Sequence, residues 1–139
     1  MTVVVDSSFF VSLFLDTDQH HKKAMKIFED LTTKDKQLFA PTLFFPEVVG
    51  TIRRKTDSSH FAQIIEETVL RWIKNFIEVK ELTKLRMQNS VEDAILYGLK
   101  GADAVSVALA KELKAELLTF DDKMKGKIKG KVKLYKMKL

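Results

Sequence analysis

The chain opens on a short run of β-branched apolar residues, Thr2-Val3-Val4-Val5, that stops at Asp6. Such a run without polar alternation predicts a strand buried on both faces. Ser7 and Ser8 follow as helix-capping residues, and the pattern predicts a helix to about Leu15. After a break at Asp16-Thr17-Asp18, the apolar positions Ala24, Ile27, Phe28 and Leu31 recur at helical spacing. Gln37 to Ala40 predicts a second strand, closed by Pro41. From Thr42 another helix opens, with Pro46 tolerated in its first turn. A long helix follows through Phe61, Ile64, Ile65, Thr68, Leu70 and Trp72, and then a weak third strand, Ile77 to Val79. Ser90 and Asp93 stand three apart before an apolar periodic run, which predicts a capping box. Gly101 separates that helix from Ala102 to Leu113, where Ala104, Ala108 and Ala110 predict close packing. Glu116 to Phe120 predicts a fourth strand, and the alternation of Lys131-Val132-Lys133-Leu134-Tyr135 predicts an edge strand. Strands separated by helices pair in parallel through right-handed crossovers. The expected fold is therefore α/β, a three-layer α/β/α sandwich around a central, mostly parallel sheet.

No Gly-, Pro- or Ser-rich linker divides the 139 residues, so residues 1–139 are expected to form a single domain. The apolar stretches are too short to cross a bilayer, and the start of the chain lacks the basic flank and cleavage site of a signal peptide. A cytoplasmic protein is the expectation. There is no cysteine, which excludes disulfides, thiolate metal sites and thiol nucleophiles. Oxygen ligands, imidazoles and hydroxyls remain for any chemistry.

Charge changes the picture more than composition does. The net charge is +5, yet all nineteen acidic residues precede position 123, and eight lysines lie between Lys123 and Leu139. The first 122 residues hold sixteen basic against nineteen acidic residues, a net of −3, and the segment 123–139 carries +8. A polyanionic partner is therefore expected near that end.

In an open parallel sheet, ligands bind beyond the carboxyl ends of the strands, where helix N-termini also point. Asp6 and Asp121 stand where two predicted strands end, and Glu47 and Asp103 fall early in predicted helices. Singly, each has an ordinary structural explanation as a cap, a dipole partner or a turn residue. Together, converging carboxylates raise one another's pKa unless a cation neutralises them. Hard oxygen donors of this kind suit Mg²⁺ or Mn²⁺, which can activate water against a phosphodiester without a protein nucleophile.

These segments resemble a known family. Val3-Val4-Val5-Asp6-Ser7-Ser8-Phe9-Phe10, Pro41-Thr42-Leu43 through Pro46-Glu47-Val48, Ala102-Asp103-Ala104-Val105-Ser106-Val107-Ala108-Leu109-Ala110 and Leu117-Leu118-Thr119-Phe120-Asp121 are similar to the four acidic motifs of PIN domains, in the family's order. Chain length and the segment His20-His21-Lys22-Lys23-Ala24 most resemble VapC-type toxins of toxin–antitoxin pairs. The resemblance implies an endoribonuclease using Mg²⁺ or Mn²⁺, with Asp6, Glu47, Asp103 and Asp121 as metal-binding acids. It also implies supporting hydroxyls at Ser7, Ser8 and Thr119, an RNA substrate, a small antitoxin protein as partner and a possible homodimer. Asp121 rather than Asp122 is taken as the fourth acid, because the family's Thr-x-Asp pattern fits Thr119 and Asp121. The alternative is a PIN-like module that binds RNA or protein without cutting, against which the intact acidic set argues. A phosphorylated receiver domain fits less well, since the paired acids expected after its first strand are replaced by Ser7 and Ser8.

The other polar residues have plainer expectations. Adjacent histidines diverge by about a hundred degrees on a helix, so His20 and His21 do not share a cleft, and His60 lies by a probable helix start. Surface or packing roles are expected for all three. Asp16 and Asp18 are expected to cap or turn. Arg54, seven positions after Glu47, falls on the same helical face and is a candidate phosphate contact. Phe9, Phe10, Phe44, Phe45 and Trp72 are expected in the core or an interface.

Overall fold

The structure is a computed structural model that describes residues 1–137. Along the chain run β1 (Thr2–Val5), α1 (Ser7–Phe14), α2 (His21–Thr33), β2 (Gln37–Pro41), α3 (Phe44–Thr56) and α4 (Ser59–Asn75). They are followed by β3 (Ile77–Lys80), α5 (Lys84–Tyr97), α6 (Gly101–Leu113), β4 (Glu116–Leu118) and α7 (Asp122–Ile128). The four strands form one parallel sheet in the order β3-β2-β1-β4.

The first strand is central because it is apolar on both faces. Val3 sits beside Leu38 of β2 and Glu116 of β4, and Val5 beside Leu118. Alternation along β1 sends Val3 and Val5 into one core and Val4 into another. The larger core joins the sheet to α1–α4 and contains Phe9, Phe10, Phe44, Ile52 and Val69, with Trp72 packed at its margin. Trp72 meets Phe28 at 4.7 Å and Phe14 at 5.2 Å between ring centroids, so the tryptophan and the core phenylalanines do packing work, as expected. The second core, against α6 and α7, contains Val107, Leu109, Leu117, Met124 and Ile128. Helices thus cover both faces of the sheet, giving the three-layer sandwich.

Three local expectations are corrected. The cap of α1 is Asp6 itself, whose carboxylate accepts the Ser8 N–H, rather than Ser7 or Ser8. Ser90 and Asp93 do not open a helix: they lie buried within α5, which begins at Lys84 under a cap from Thr83. The Asp93 carboxylate accepts the Lys111 ammonium of α6 at 2.8 Å, and the Ser90 hydroxyl donates within α5 to the Arg86 carbonyl. The helix ends at Gly98, whose φ of 66° is a left-handed cap that glycine adopts without strain.

The lysine-rich segment is the third correction. Residues 122–128 form α7, because Asp121 caps it and Met124 and Ile128, four apart, turn into the second core. The expected edge strand at Lys131–Tyr135 contracts to a single parallel bridge, Leu117 to Leu134, with Tyr135 N–H donating to the Leu117 carbonyl. Strand β4 likewise ends at Leu118, two residues short of Phe120. Lys138 and Leu139 lie outside the described residues.

Among the described residues no helix is long and apolar enough to cross a membrane. Helix α5 nevertheless leaves Leu85, Val91, Ile95 and Leu96 in solvent, Ile95 with 79% of its surface exposed.

Candidate active site

Where β1 ends at the carboxyl edge of the sheet, the chain turns directly into α1, and Asp6 is held at the junction. It is only 5% exposed, so its carboxylate must find donors inside the protein. Its Oδ2 accepts the Ser8 hydroxyl at 2.8 Å and the Thr119 hydroxyl at 3.0 Å. Its Oδ1 is 3.4 Å from the Ser106 hydroxyl. Both Asp6-bound hydroxyls also accept backbone N–H groups from the turn after β4: Ser8 from Phe120 at 2.9 Å, and Thr119 from Asp121 at 3.1 Å. The exits of two adjacent strands are therefore pinned to one carboxylate.

The other acids arrive on helix starts. Glu47 lies in the first turn of α3 and Asp103 in the first turn of α6, both half-buried. Asp121 follows β4, caps α7 by accepting the Met124 N–H at 3.1 Å, and is also half-buried, whereas Asp122 is exposed.

Electrostatics shows that the four acids feel one another. Burial pushes the Glu47 carboxyl above its usual range, and the charges of Asp6 and Asp103 add to the shift. Asp103 is pushed up to about 6, first by burial and then by Asp6 and Asp121, against the smaller downward pull of Lys100 and Lys127. Carboxylates that raise each other's pKa form a site of unneutralised negative potential.

The donor set fits a hard divalent cation: all-oxygen, anionic, and gathered at one sheet edge. Among the described residues, no group of three or more histidine, aspartate or glutamate side chains is arranged to hold a metal ion as placed. The fit thus rests on donor chemistry and shared field, and suits an ion that keeps several of its waters, as Mg²⁺ does.

The supporting residues separate. Ser8 and Thr119 sit on Asp6, while no side-chain hydrogen bond from Ser7 to Asp6 occurs among the described residues. Arg54 is exposed and donates to Thr51 Oγ1 of its own helix at 3.2 Å, turned along α3 rather than into the acidic cluster. Sequence reasoning missed Ser106, whose signal was its place three residues after Asp103, one turn along the same helix face. It also missed Lys100 and Lys127, which bear on Asp103. Histidine roles are structural: His21 Nδ1 lies 2.9 Å from the Ser12 carbonyl, His20 packs on the Phe120 ring, and His60 is exposed. Asp18 accepts the His20 N–H at 2.8 Å, the turn role expected of it.

The PIN-domain family model matches residues 3–128. The chain belongs to the PIN domain family. Its architecture is similar to that of VapC20 from Mycobacterium tuberculosis, described as a sarcin-ricin loop cleaving toxin, with a TM-score of 0.72 and 17% identity over 89% of this chain and 93% of that one. It is also similar to a toxin–antitoxin complex from Klebsiella pneumoniae, with a TM-score of 0.65 and 20% identity over 97% of this chain and 99% of that one. A third likeness is to VapBC2 from Rickettsia felis, bound to a DNA fragment from its promoter, with a TM-score of 0.69 and 14% identity over 99% and 100%. No curated protein sequence matches the chain.

The raised acids predict a stability signature. Asp103 binds its proton more tightly folded, near 6, than unfolded, near 3.8, so the metal-free fold loses stability as pH rises through that interval. Asp103→Asn should therefore raise the melting temperature of metal-free protein at pH 7.5, by about 1 kcal/mol after allowance for solvent screening, or roughly 3–5 °C. At pH 3 to 4 the difference should vanish. Calorimetry at the two pH values checks this, and a variant less stable than the parent at pH 7.5 would contradict it.

Proposed function

We propose that this protein is a metal-dependent endoribonuclease, acting as the toxin of a toxin–antitoxin pair. The observation that carries the reading is the shared field of Asp6, Glu47, Asp103 and Asp121 at the carboxyl edge of the sheet. Membership of the PIN family and the likeness to toxin structures support it.

In this reading Asp6, Glu47, Asp103 and Asp121 hold Mg²⁺ or Mn²⁺. The chemistry such an ion supplies when bound is activation of water and stabilisation of charge on the phosphodiester. Everything else falls to the chain. Ser8 and Thr119 fix the Asp6 carboxylate in one orientation, so that ordering it costs nothing when substrate arrives. Glu47 and Asp103 are half-buried with raised carboxyls, Asp103 up to about 6, so both take up protons more readily than ordinary carboxylates and activity should fall on the acid side. Thr119 aligns Asp121 through the Asp121 N–H, and this places the fourth acid on the side of Asp103. Hydrolysis leaves a 5′-phosphate and a 3′-hydroxyl.

The antitoxin in this reading is a small protein that blocks the acidic edge; that a partner exists at all is supported by the likeness to a structure described as a toxin–antitoxin complex. A second copy of the chain covers α5. Leu85, Val91, Ile95 and Leu96 form an exposed stripe of on the order of 500 Å² beside an interface requirement of roughly 800 Å² per partner. Light scattering should show a dimer for the parent and a monomer for Ile95→Glu with unchanged melting. A dimer that survives the substitution would remove α5 from the interface.

Cleavage itself has a direct test. A labelled RNA should be cut only with Mg²⁺ or Mn²⁺, and Asp6→Asn or Asp103→Asn should lower the rate by at least a hundredfold while the fold survives. Asp121→Asn should be far more damaging than Asp122→Asn. Cleavage persisting in EDTA, or products ending in a 2′,3′-cyclic phosphate, would contradict the reading, and equal losses at 121 and 122 would contradict the assignment of the fourth acid.

A further inference from the structure

Phe120 lies between the residues that make the acidic site, after Thr119 and before Asp121, yet its side chain points elsewhere. The ring packs on Phe9 and His20, and two ammonium groups from separate helices, Lys23 of α2 and Lys125 of α7, each stand 5.9 Å from its centroid. A ring face attracts cations, so this aromatic holds two lysines side by side at the exit of β4.

From that point a basic groove runs along the outer edge of β4. Its first part, about 440 Å³, is lined by Lys23, Thr119, Phe120, Lys125 and Lys136 among others. Its second part, about 540 Å³, is lined by Lys129 and Lys133 and shares Lys125, Leu134 and Lys136 with the first. Among the described residues, five lysines line the two parts and no aspartate or glutamate does. The nearest carboxylate behind Tyr135, on Asp30, is already engaged by Lys34 and by the Tyr135 hydroxyl. Among the described residues only Lys133 of these five has an acid partner, Glu116 at 3.5 Å. Thr119 belongs both to the groove wall and to the hydrogen bonds on Asp6, and Phe120 of the groove directly precedes Asp121, so the groove begins beside the carboxylate cluster.

We propose that this groove binds the single-stranded RNA that flanks the scissile phosphate. The lysines take the phosphates, and Phe120 offers its ring to the first base beyond the cut. The inference rests on the nuclease reading above and extends it to the substrate path. A row of cations without acids complements a polyanion, and an aromatic platform among cations is how unpaired strands are held without regard to sequence. Lys127 is set apart from this role, because its ammonium donates to the Gly98 carbonyl and faces Asp103.

The test uses a fluorescein-labelled single-stranded RNA of mixed sequence, bound by full-length protein carrying Asp103→Asn to prevent cutting. Affinity should fall with salt at a log–log slope of about −0.7 for each phosphate contact. Replacing Lys23, Lys125 and Lys136 with Ser should make that slope shallower by about 2, whereas replacing the exposed Lys55, Lys74 and Lys84 should leave it unchanged. Phe120→Leu should weaken binding about tenfold at an unchanged slope, since stacking releases no ions. In the active protein, the three groove substitutions should raise KM and leave kcat within about twofold. Parental slope and KM in the groove variant would overturn the proposal while leaving the nuclease reading intact. The reverse, lysine-dependent RNA binding with no cleavage in any divalent metal, would uphold the groove and remove the nuclease. Loss of affinity for a poly-glutamate peptide alongside an unchanged RNA slope would also overturn it, assigning the groove to an acidic protein segment.

Discussion

The rest of the molecule is arranged around one buried carboxylate. Asp6 ends the central strand, is 5% exposed, and has no basic side chain among its hydrogen-bond partners. Its charge is sustained by three hydroxyls, from Ser8, Thr119 and Ser106, which belong to α1, the turn after β4, and α6. Two of the three also serve the fold, because Ser8 and Thr119 accept the N–H groups that shape the exit of β4. A group that costs stability when buried thus becomes the tie between sheet and helices. Asp121 inherits its position from that tie, and Glu47 and Asp103 from the starts of their helices. An acidic cluster of this kind is an arrangement of mutually raised carboxylates held by neutral donors, and the proposed cation would relieve it.

The two cores have different tasks. The aromatic core under α1–α4 interlocks Phe10 with Phe44 and Trp72 beside Phe9, and it makes the platform from which Asp6 and Glu47 project. The thinner core under α6 and α7 is built from alanine, valine and leucine. Close packing by Ala104 and Ala110 brings α6 down onto the sheet, which delivers Asp103 and Ser106 to the same edge. On the outer side of α6 the arrangement inverts: α5 meets it through Arg86–Glu112 and Lys111–Asp93 pairs and leaves its apolar residues outside.

That inversion explains where the sequence was legible and where it was not. Strands β1 and β2, the helices between them and the long α4 follow ordinary rules, with apolar residues inward at the period of the element, and pattern alone located them. Helix α5 breaks the rule, since its buried positions include Ser90 and Asp93 and its solvent face includes Ile95 and Leu96. Read as a monomer's helix, the pattern suggested a cap where there is an interior. Lys131–Tyr135 mislead for a related reason: their alternation resembles an edge strand, but only Leu134 bridges to β4, while upstream Met124 and Ile128 recur at helical spacing and carry α7, left unassigned by the pattern, into the core. The acidic positions were legible because each sits where an element begins or ends. The Ser106 contact to Asp6 and the seat of Lys23 on Phe120 were not, since each depends on side chains meeting from opposite ends of the chain.

The central claim is that the four carboxylates share one field which a divalent cation neutralises. Carbon-13 NMR of side-chain carboxyl groups, titrated from pH 3 to 9 with and without Mg²⁺, measures it at the residue concerned. The account predicts that Asp103 titrates near 6 in the absence of metal, well above an ordinary aspartate at 3.8, and that saturating Mg²⁺ returns its midpoint to 4 or below. An Asp103 that titrates near 3.8 without metal and does not respond to Mg²⁺ would contradict it.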